Sequence, residues 1–282
     1  MKLAQIRNGG GKTIAAIVEK KGFRPVQGHS LASLVELAEK DDRDLADIAG
    51  ELASSEVIAA ELAIPIHPSE VWACGCTYAP SAEFRDNELG AGEGPYAYVS
   101  DPKHRPEIFF KGTARVCVGP NEAIGIRKDS TFTAPEPELA VVIDSNGKVL
   151  GYTVANDVSA WDIERENSLY LPQSKVYDGC CALGPVIVTA DEITDPYQLQ
   201  MSCVIRRGGK TTFEGKATVG QLRRKIEELI GYLLRSNGVP SAAVVLTGTG
   251  IIVTQEAALA PGDIVTIDVP GIGTLANTAR IA

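Results

Sequence analysis

Short apolar runs broken by glycine and proline make up most of this chain, and the three-and-four spacing of an amphipathic helix is confined to a few stretches. Residues 2–7 and 12–18 flank Asn8-Gly9-Gly10-Gly11 and predict a hairpin, because Asn-Gly supplies the positive φ that tight turns require. Ser30 caps a helix over 31–40, with Leu31, Leu34, Leu37 and Ala38 on one face. Two more helices are expected over 41–52 and 56–63. The prolines of Ile64-Pro65-Ile66-His67-Pro68 end this part, so residues 1–66 read as a small N-terminal α+β domain.

From residue 67 the texture is strand-like. Strands are expected at 71–76 and 106–111, and between them 77–105 is polar, glycine-rich and without periodicity. A loop of that length in a compact domain is usually a functional lid or a disordered segment. Residues 139–143 predict a buried strand, 144–147 a turn, and 148–156 the returning antiparallel strand. A second hairpin is expected over 198–207 and 210–217 about Gly208-Gly209. One long helix over 219–236 places Leu222, Ile226, Leu229, Ile230, Leu233 and Leu234 on one stripe. Strands at 244–247, 251–254, 263–268 and 273–277 complete a mainly antiparallel second domain, 67–282, and the fold class is α+β.

Composition narrows the function. The 282 residues carry 27 basic and 36 acidic side chains, a net charge of −9, which disfavours nonspecific nucleic-acid binding. No apolar run approaches the ~20 residues a membrane span needs, and the first residues lack the apolar region of a signal peptide. A soluble, cytoplasmic protein without membrane or nucleic-acid partners is expected. The six cysteines show no C-x-x-C pair and read as small buried residues in a reducing compartment. Gly9-Gly10-Gly11-Lys12-Thr13 resembles the end of a phosphate loop but fails its pattern, because Ile6 stands where the first glycine belongs.

Chemistry concentrates between residues 133 and 181. Glu136 and Glu138 stand two apart at the mouth of the apolar strand, so their side chains leave one face, and the return strand delivers Asp157 toward them. Three like charges gathered beside a buried strand call for a counter-charge. An all-oxygen set without His or Cys favours Mg²⁺, with Mn²⁺ and Ca²⁺ as alternatives, over zinc. The plain alternative is a solvated hairpin with ordinary surface acids.

These residues resemble the metal site of the fumarylacetoacetate hydrolase superfamily, Glu-x-Glu followed by an aspartate in an NDxSAxD segment, here NDVSAWD from Asn156 to Asp162. Lys175, the LTGTG segment from Leu246 to Gly250, Pro261-Gly262-Asp263 and GIGTLAN from Gly271 to Asn277 continue the resemblance in order. Finer similarity points to the 2-keto-3-deoxy-D-arabinonate (2-keto-3-deoxy-pentonate) dehydratase branch. It lies in RPEIFFK from Arg105 to Lys111, DIEREN from Asp162 to Asn167 and LYLPQSKVYD from Leu169 to Asp178. The resemblance implies a β-roll or β-sandwich catalytic domain and a homo-oligomer, dimer or tetramer. It also implies a Mg²⁺-dependent lyase that converts a 2-keto-3-deoxy-pentonate to α-ketoglutarate semialdehyde and water.

By the same resemblance Glu107 and Lys175 divide the acid and base roles, without a decision as to which does which. Thr249 and Gly248 take the substrate carboxylate, and Lys111 and Tyr78 join the substrate-binding set. Trp161 departs from the family, many of whose members carry arginine there; Glu164 agrees with the dehydratase branch. None of His29, His67 and His104 sits in a motif for activating water. Two alternatives remain: an acylpyruvate hydrolase or oxaloacetate decarboxylase using the same metal site, and a non-catalytic ligand-binding or structural protein that has retained the fold. An enolate beside a metal needs shielding from water, so 77–104 is expected to act as a lid, with Gly90, Gly92 and Gly94 as hinges and Tyr96 and Tyr98 as covers.

Overall fold

The computed structural model describes residues 1–7, 13–88 and 94–282. The chain opens with strands β1 (Lys2–Arg7), β2 (Thr13–Glu19) and β3 (Gly22–Val26), followed by helices α1 (Leu31–Lys40) and α2 (Leu45–Leu52). Next come β4 (Val71–Gly75), α3 (Ala79–Glu88), α4 (Pro95–Ser100), β5 (Glu107–Gly112) and β6 (Ala123–Ile126). The central hairpin is β7 (Pro137–Ile143) and β8 (Val149–Asp157), and it leads into α5 (Trp161–Glu166), α6 (Leu171–Lys175) and β9 (Cys181–Thr189). A second hairpin, β10 (Gln200–Arg207) and β11 (Lys210–Thr218), precedes α7 (Ile226–Leu233), β12 (Ala243–Leu246), β13 (Ile264–Val269) and β14 (Gly273–Ile281).

The long sheet runs β3-β2-β1-β9-β8-β7-β12-β4-β5, and a second sheet runs β11-β10-β13-β14-β6. Pairing is antiparallel except at β12 with β4, at β14 with β6 and at a two-residue strand, Cys117–Val118, beside β9. The α+β, mainly antiparallel class expected from the sequence is what forms. Leu3 of β1 pairs with Ile187 of β9, so strands from before and after residue 66 share one sheet.

Every residue of β7 is buried, and the period of two explains how. Leu139, Val141 and Ile143 enter one core with Ile205, Val265 and Leu275 of the second sheet and Ile226, Leu229 and Leu233 of α7. Ala140 and Val142 enter another, with Leu34 and Val35 of α1 and Ile48 of α2. The long sheet is thus a middle layer with apolar contacts on both faces, a rigid platform for whatever stands at the ends of β7 and β8.

Local expectations fail where tertiary bonds compete. No helix forms over 56–63: Ile58 exchanges two backbone hydrogen bonds with Phe23 of β3, and Glu61–Leu62 pairs with β1. Helix α2 begins at Leu45 because Asp42 takes a positive φ of 48°. Residues 251–254 form no strand, although Ile251 and Val253 are buried; the Thr249 hydroxyl instead accepts from the Ile251 N–H. The expected 219–236 helix is a 3₁₀ turn at Val219–Gln221 and then α7, because Arg223 N–H donates to Thr77 and the buried Arg224 turns toward another segment.

That segment is the stretch expected to be an aperiodic loop, which instead carries α3 and α4; Gly90 and Gly92 lie outside the described residues. The Asp86 carboxylate accepts from Tyr96 and Ala97 N–H groups, at 3.2 and 2.7 Å, and so caps α4 from α3. Arg224 donates to the carbonyls of Val99, Asp101, Pro102 and His104, the first at 3.1 Å and the last at 2.6 Å, and pairs with Glu228 at 2.7 Å. One cation therefore stitches the end of α4 to the start of α7. We expect Arg224→Met to cost about 3 kcal/mol in urea unfolding, the order seen when buried polar groups lose their partner. Faster hydrogen exchange should be confined to 99–104; exchange as slow as in the wild type would show that another contact anchors α4.

Candidate active site

The site grows from the open end of the β7–β8 hairpin. Gly147, at a φ of +84°, closes the turn, and Asp144 Oδ1 accepts from the N–H groups of Asn146 and Lys148. At the other end Pro137 pairs with Asn156. Asn156 Oδ1 accepts from Glu136 N–H at 3.0 Å, and Asp157 N–H donates to the Glu136 carbonyl at 2.9 Å. These bonds fix both strand ends, and Glu136, Glu138 and Asp157, all buried, each bring one carboxylate oxygen to within 4.8 Å of the others.

Cations surround two of the three acids. Lys175 Nζ, at the end of α6, donates to Glu136 at 2.9 Å, to Asp157 at 3.2 Å and to Ser159 Oγ at 2.7 Å. Lys111, wholly buried, donates to the Val158 carbonyl at 3.1 Å and meets Asp157 Oδ1 as an ion pair rather than as an aligned hydrogen bond. Burial opposes the charge on Glu136, but Lys175 and Arg85 outweigh it and hold its carboxyl below the ordinary range.

Glu138 is different. Its carboxylate accepts from Gly248 N–H and has no ion-pair partner among the described residues. Burial first, then the charges of Asp157 and Glu136, push its carboxyl well up. Gly248 must be glycine here: its φ is +96°, and a Cβ would lie 1.9 Å from Thr77 Oγ1. A divalent ion fits this arrangement, since it would be held by three buried carboxylate oxygens, one of them lacking a cation. The all-oxygen donor set suits a hard ion.

Beside the triad, Glu107, the first residue of β5, lies flat over Gly75 of β4. A Cβ at Gly75 would sit 2.1 Å from its Oε2. Burial, then Glu164, push the Glu107 carboxyl up to about 7, while Lys175 and Arg85 pull the other way. Glu107, Glu136, Glu164, Arg85 and Lys175 face one cavity with Cys76 and Ser81. That cavity measures only about 30 Å³, whereas larger clefts, of about 560 Å³ beside Glu192 and about 350 Å³ beside Lys216, hold no such cluster.

Of the residues singled out in the sequence, Glu136, Glu138, Asp157, Lys175 and Glu107 come together. Gly248 stands behind Glu138, and Thr249 is spent on its own turn with Ile251. Lys111 and Tyr78 do not line the cavity. Lys111 is enclosed behind Asp157, and Tyr78 is buried against Gly250, its hydroxyl without a partner among the described residues.

Arg85 of α3 was not legible in the sequence. Its guanidinium lies 4.1 Å over the Trp161 ring, with Nη2 at 3.2 Å from Glu164 and 3.7 Å from Glu136. Trp161 in turn donates its indole N–H to Glu136. A positive charge thus reaches Glu136 from α3, over the Trp161 ring, and only folding reveals it.

A two-sheet α+β fold with a buried carboxylate triad, a lysine among its oxygens and a titratable glutamate opposite defines a class of metal-dependent enzymes acting on small acids. The sequence profile described as fumarylacetoacetate (FAA) hydrolase C-terminal matches residues 82–280, and the chain belongs to this family. It is 52% identical over 219 residues to the 2-dehydro-3-deoxy-D-arabinonate dehydratase of Saccharolobus solfataricus, covering 77% of this chain and 73% of that protein. It is 45% identical over 215 residues to a probable 2-keto-3-deoxyxylonate dehydratase of Haloferax volcanii, covering 76% and 73%. A solved 2-keto-3-deoxy-D-arabinonate dehydratase complexed with magnesium and 2,5-dioxopentanoate superposes with a TM-score of 0.84 at 40% identity, covering 100% of this chain and 99% of that one. Among the described residues no helix is long and apolar enough to cross a membrane.

If the triad holds a divalent ion, saturating Mg²⁺ should raise the melting temperature, because a ligand bound only by the folded state stabilises it. Glu138→Gln should abolish most of that rise and weaken Mg²⁺ binding at least tenfold in calorimetric titration. An unchanged affinity would remove Glu138 from the ligand set.

Proposed function

We propose that this protein is a Mg²⁺-dependent dehydratase that converts a 2-keto-3-deoxy-pentonate to 2,5-dioxopentanoate (α-ketoglutarate semialdehyde) and water. The observation that carries the reading is Glu107, a carboxyl raised to about 7, facing the same cavity as Lys175 and the triad member Glu136. The names of the relatives support the substrate class.

Glu136, Glu138 and Asp157 would hold the ion. When bound, it supplies a Lewis acid for the substrate's carboxylate and keto oxygen, which makes the C3 protons acidic. Lys175 has its three N–H groups engaged by Glu136, Asp157 and Ser159, so as an ammonium it offers no lone pair and is not the base; it would donate to substrate oxygen only in exchange for one of these bonds. Glu107 then takes the C3 proton, and its pKa near neutrality suits that task. The C3–H pair forms the C3–C4 double bond as the C4–O bond breaks, and Glu107 returns the proton to the departing hydroxide. Proton shifts convert the resulting hydroxy-enone, an isomer of the product, to the dioxo acid.

Next to Gly248, whose N–H is held by Glu138, the backbone N–H of Thr249 would take the substrate carboxylate, joined by its hydroxyl if that leaves the turn with Ile251. A cavity of about 30 Å³ has room for little more than one water, so a five-carbon acid enters as α3 draws back. We also infer that the protein works in the cytoplasm and as a homo-oligomer. Exposed apolar side chains support the latter, among them Leu169 at 82% exposure and Ile281 at 47%. Light scattering that returned the monomer mass for the active species would remove the second inference.

With Mg²⁺ present, 2-keto-3-deoxy-pentonates should yield the semialdehyde, and chelation should stop the reaction. Turnover without metal, or none on any such acid, would end this reading. Because the deprotonated Glu107 is the active form, kcat/KM should rise with pH up to about 7 and fall about tenfold per unit below it. Glu107→Gln should lower kcat by about 10²- to 10⁴-fold with Mg²⁺ affinity unchanged, the range for a lost general base.

A further inference from the structure

The dehydratase reading accounts for the carboxylates and Lys175 but gives Arg85 and Glu164 no contact with the substrate. We propose that this pair is the specificity-determining wall of the site, receiving the hydroxyl groups at the end of the substrate remote from its carboxylate. The inference rests on the proposed function.

Position comes first. Arg85 and Glu164 line the same cavity as Glu107, Glu136 and Lys175. With the substrate's C3 at Glu107, and Glu136 and Lys175 engaged at the triad, they are the charged side chains of that cavity left to meet the C4 and C5 groups. Chemistry agrees with that position. A guanidinium donates and a carboxylate accepts, and a hydroxyl group does both, so a diol matches an Arg–Glu pair. A second carboxylate would be repelled by Glu164, and a plain alkyl chain would leave both charged groups without polar contact.

The wall is also held together by its own contacts. Arg85 and Glu164 are buried, with side-chain exposures of 8% and 6%. Burial opposes the Arg85 charge, but Glu164 and Glu136 outweigh it, so the guanidinium stays charged. Its platform, Trp161, is held by the bond to Glu136 and packed between Phe84 and Phe132, with ring centroids 5.7 and 5.3 Å away. All hydrogen bonds and ion pairs of Arg85 among the described residues run through Nη2. The remaining edge of the fork, Nε and Nη1, is the one available to a ligand. A pair needed only to fasten α3 would show the same ion pair, and the experiment separates the two.

Binding is measured by calorimetry on Mg²⁺-loaded protein in a Glu107→Gln background, where bound substrate persists. Two probes are compared: a 2-keto-3-deoxy-pentonate, and 2-oxobutyrate, which has the keto acid head but no hydroxyl. Sites that hydrogen-bond a hydroxyl discriminate strongly against its absence, so Glu164→Gln should weaken the pentonate by about tenfold or more. The same change should leave 2-oxobutyrate and Mg²⁺ within about twofold. Arg85→Lys, which keeps the charge and loses the fork, should show the same selective loss. Equal weakening of both acids, a parallel fall in Mg²⁺ affinity, or no change in either would assign the pair to fastening α3 and overturn the proposal. If the wild type dehydrates no pentonate but the variants still lose only the hydroxylated acid, the wall stands and the dehydratase reading falls.

Discussion

Burying like charges at the end of a hairpin is the constraint on which the rest of this structure depends. Glu136, Glu138 and Asp157 sit within hydrogen-bonding reach of a common point in a place where an unpaired carboxylate is very costly. The fold answers with cations from separate elements: Lys111 from β5, Lys175 from α6 and Arg85 from α3. With Glu107 and Glu164 nearby, five carboxyl groups face three cations, an excess of two negative charges if all are ionised, which a divalent ion matches.

Each cation has a different freedom, and that ordering shapes the site. Lys111 is sealed behind Asp157 and pairs with it from the protein side. Lys175 and Arg85 face the cavity, one beside the triad oxygens and one over Trp161. Glu138, left without a cation, is where the structure most needs the ion.

Rigidity comes from the long sheet, whose β7 and β8 are buried on both faces between the second sheet with α7 and the layer of α1 and α2. The α3–α4 segment is moored by the Asp86 cap and by the carbonyls gathered by Arg224. Trp161 joins the two, since it bonds Glu136 at the hairpin's end and carries Arg85 of α3.

The sequence alone determined the hairpin, the gathering of Glu136, Glu138 and Asp157 and the mainly antiparallel class, and the family resemblance drew Lys175 and Glu107 to the same place. All of these rest on the strand period, on turn residues or on an ordered motif, which act over a few positions. It did not determine that 56–63 pairs along a sheet edge, that 219–236 breaks before α7, or that α3 and α4 form within 77–105. Those outcomes hang on Phe23, Thr77 and Arg224, partners distant in the chain. Nor did it set apart Lys111, which stands behind the site, or find Arg85, one more charged residue in a polar stretch. A side chain's place relative to a buried charge depends on which elements pack together, and only the tertiary structure decides that.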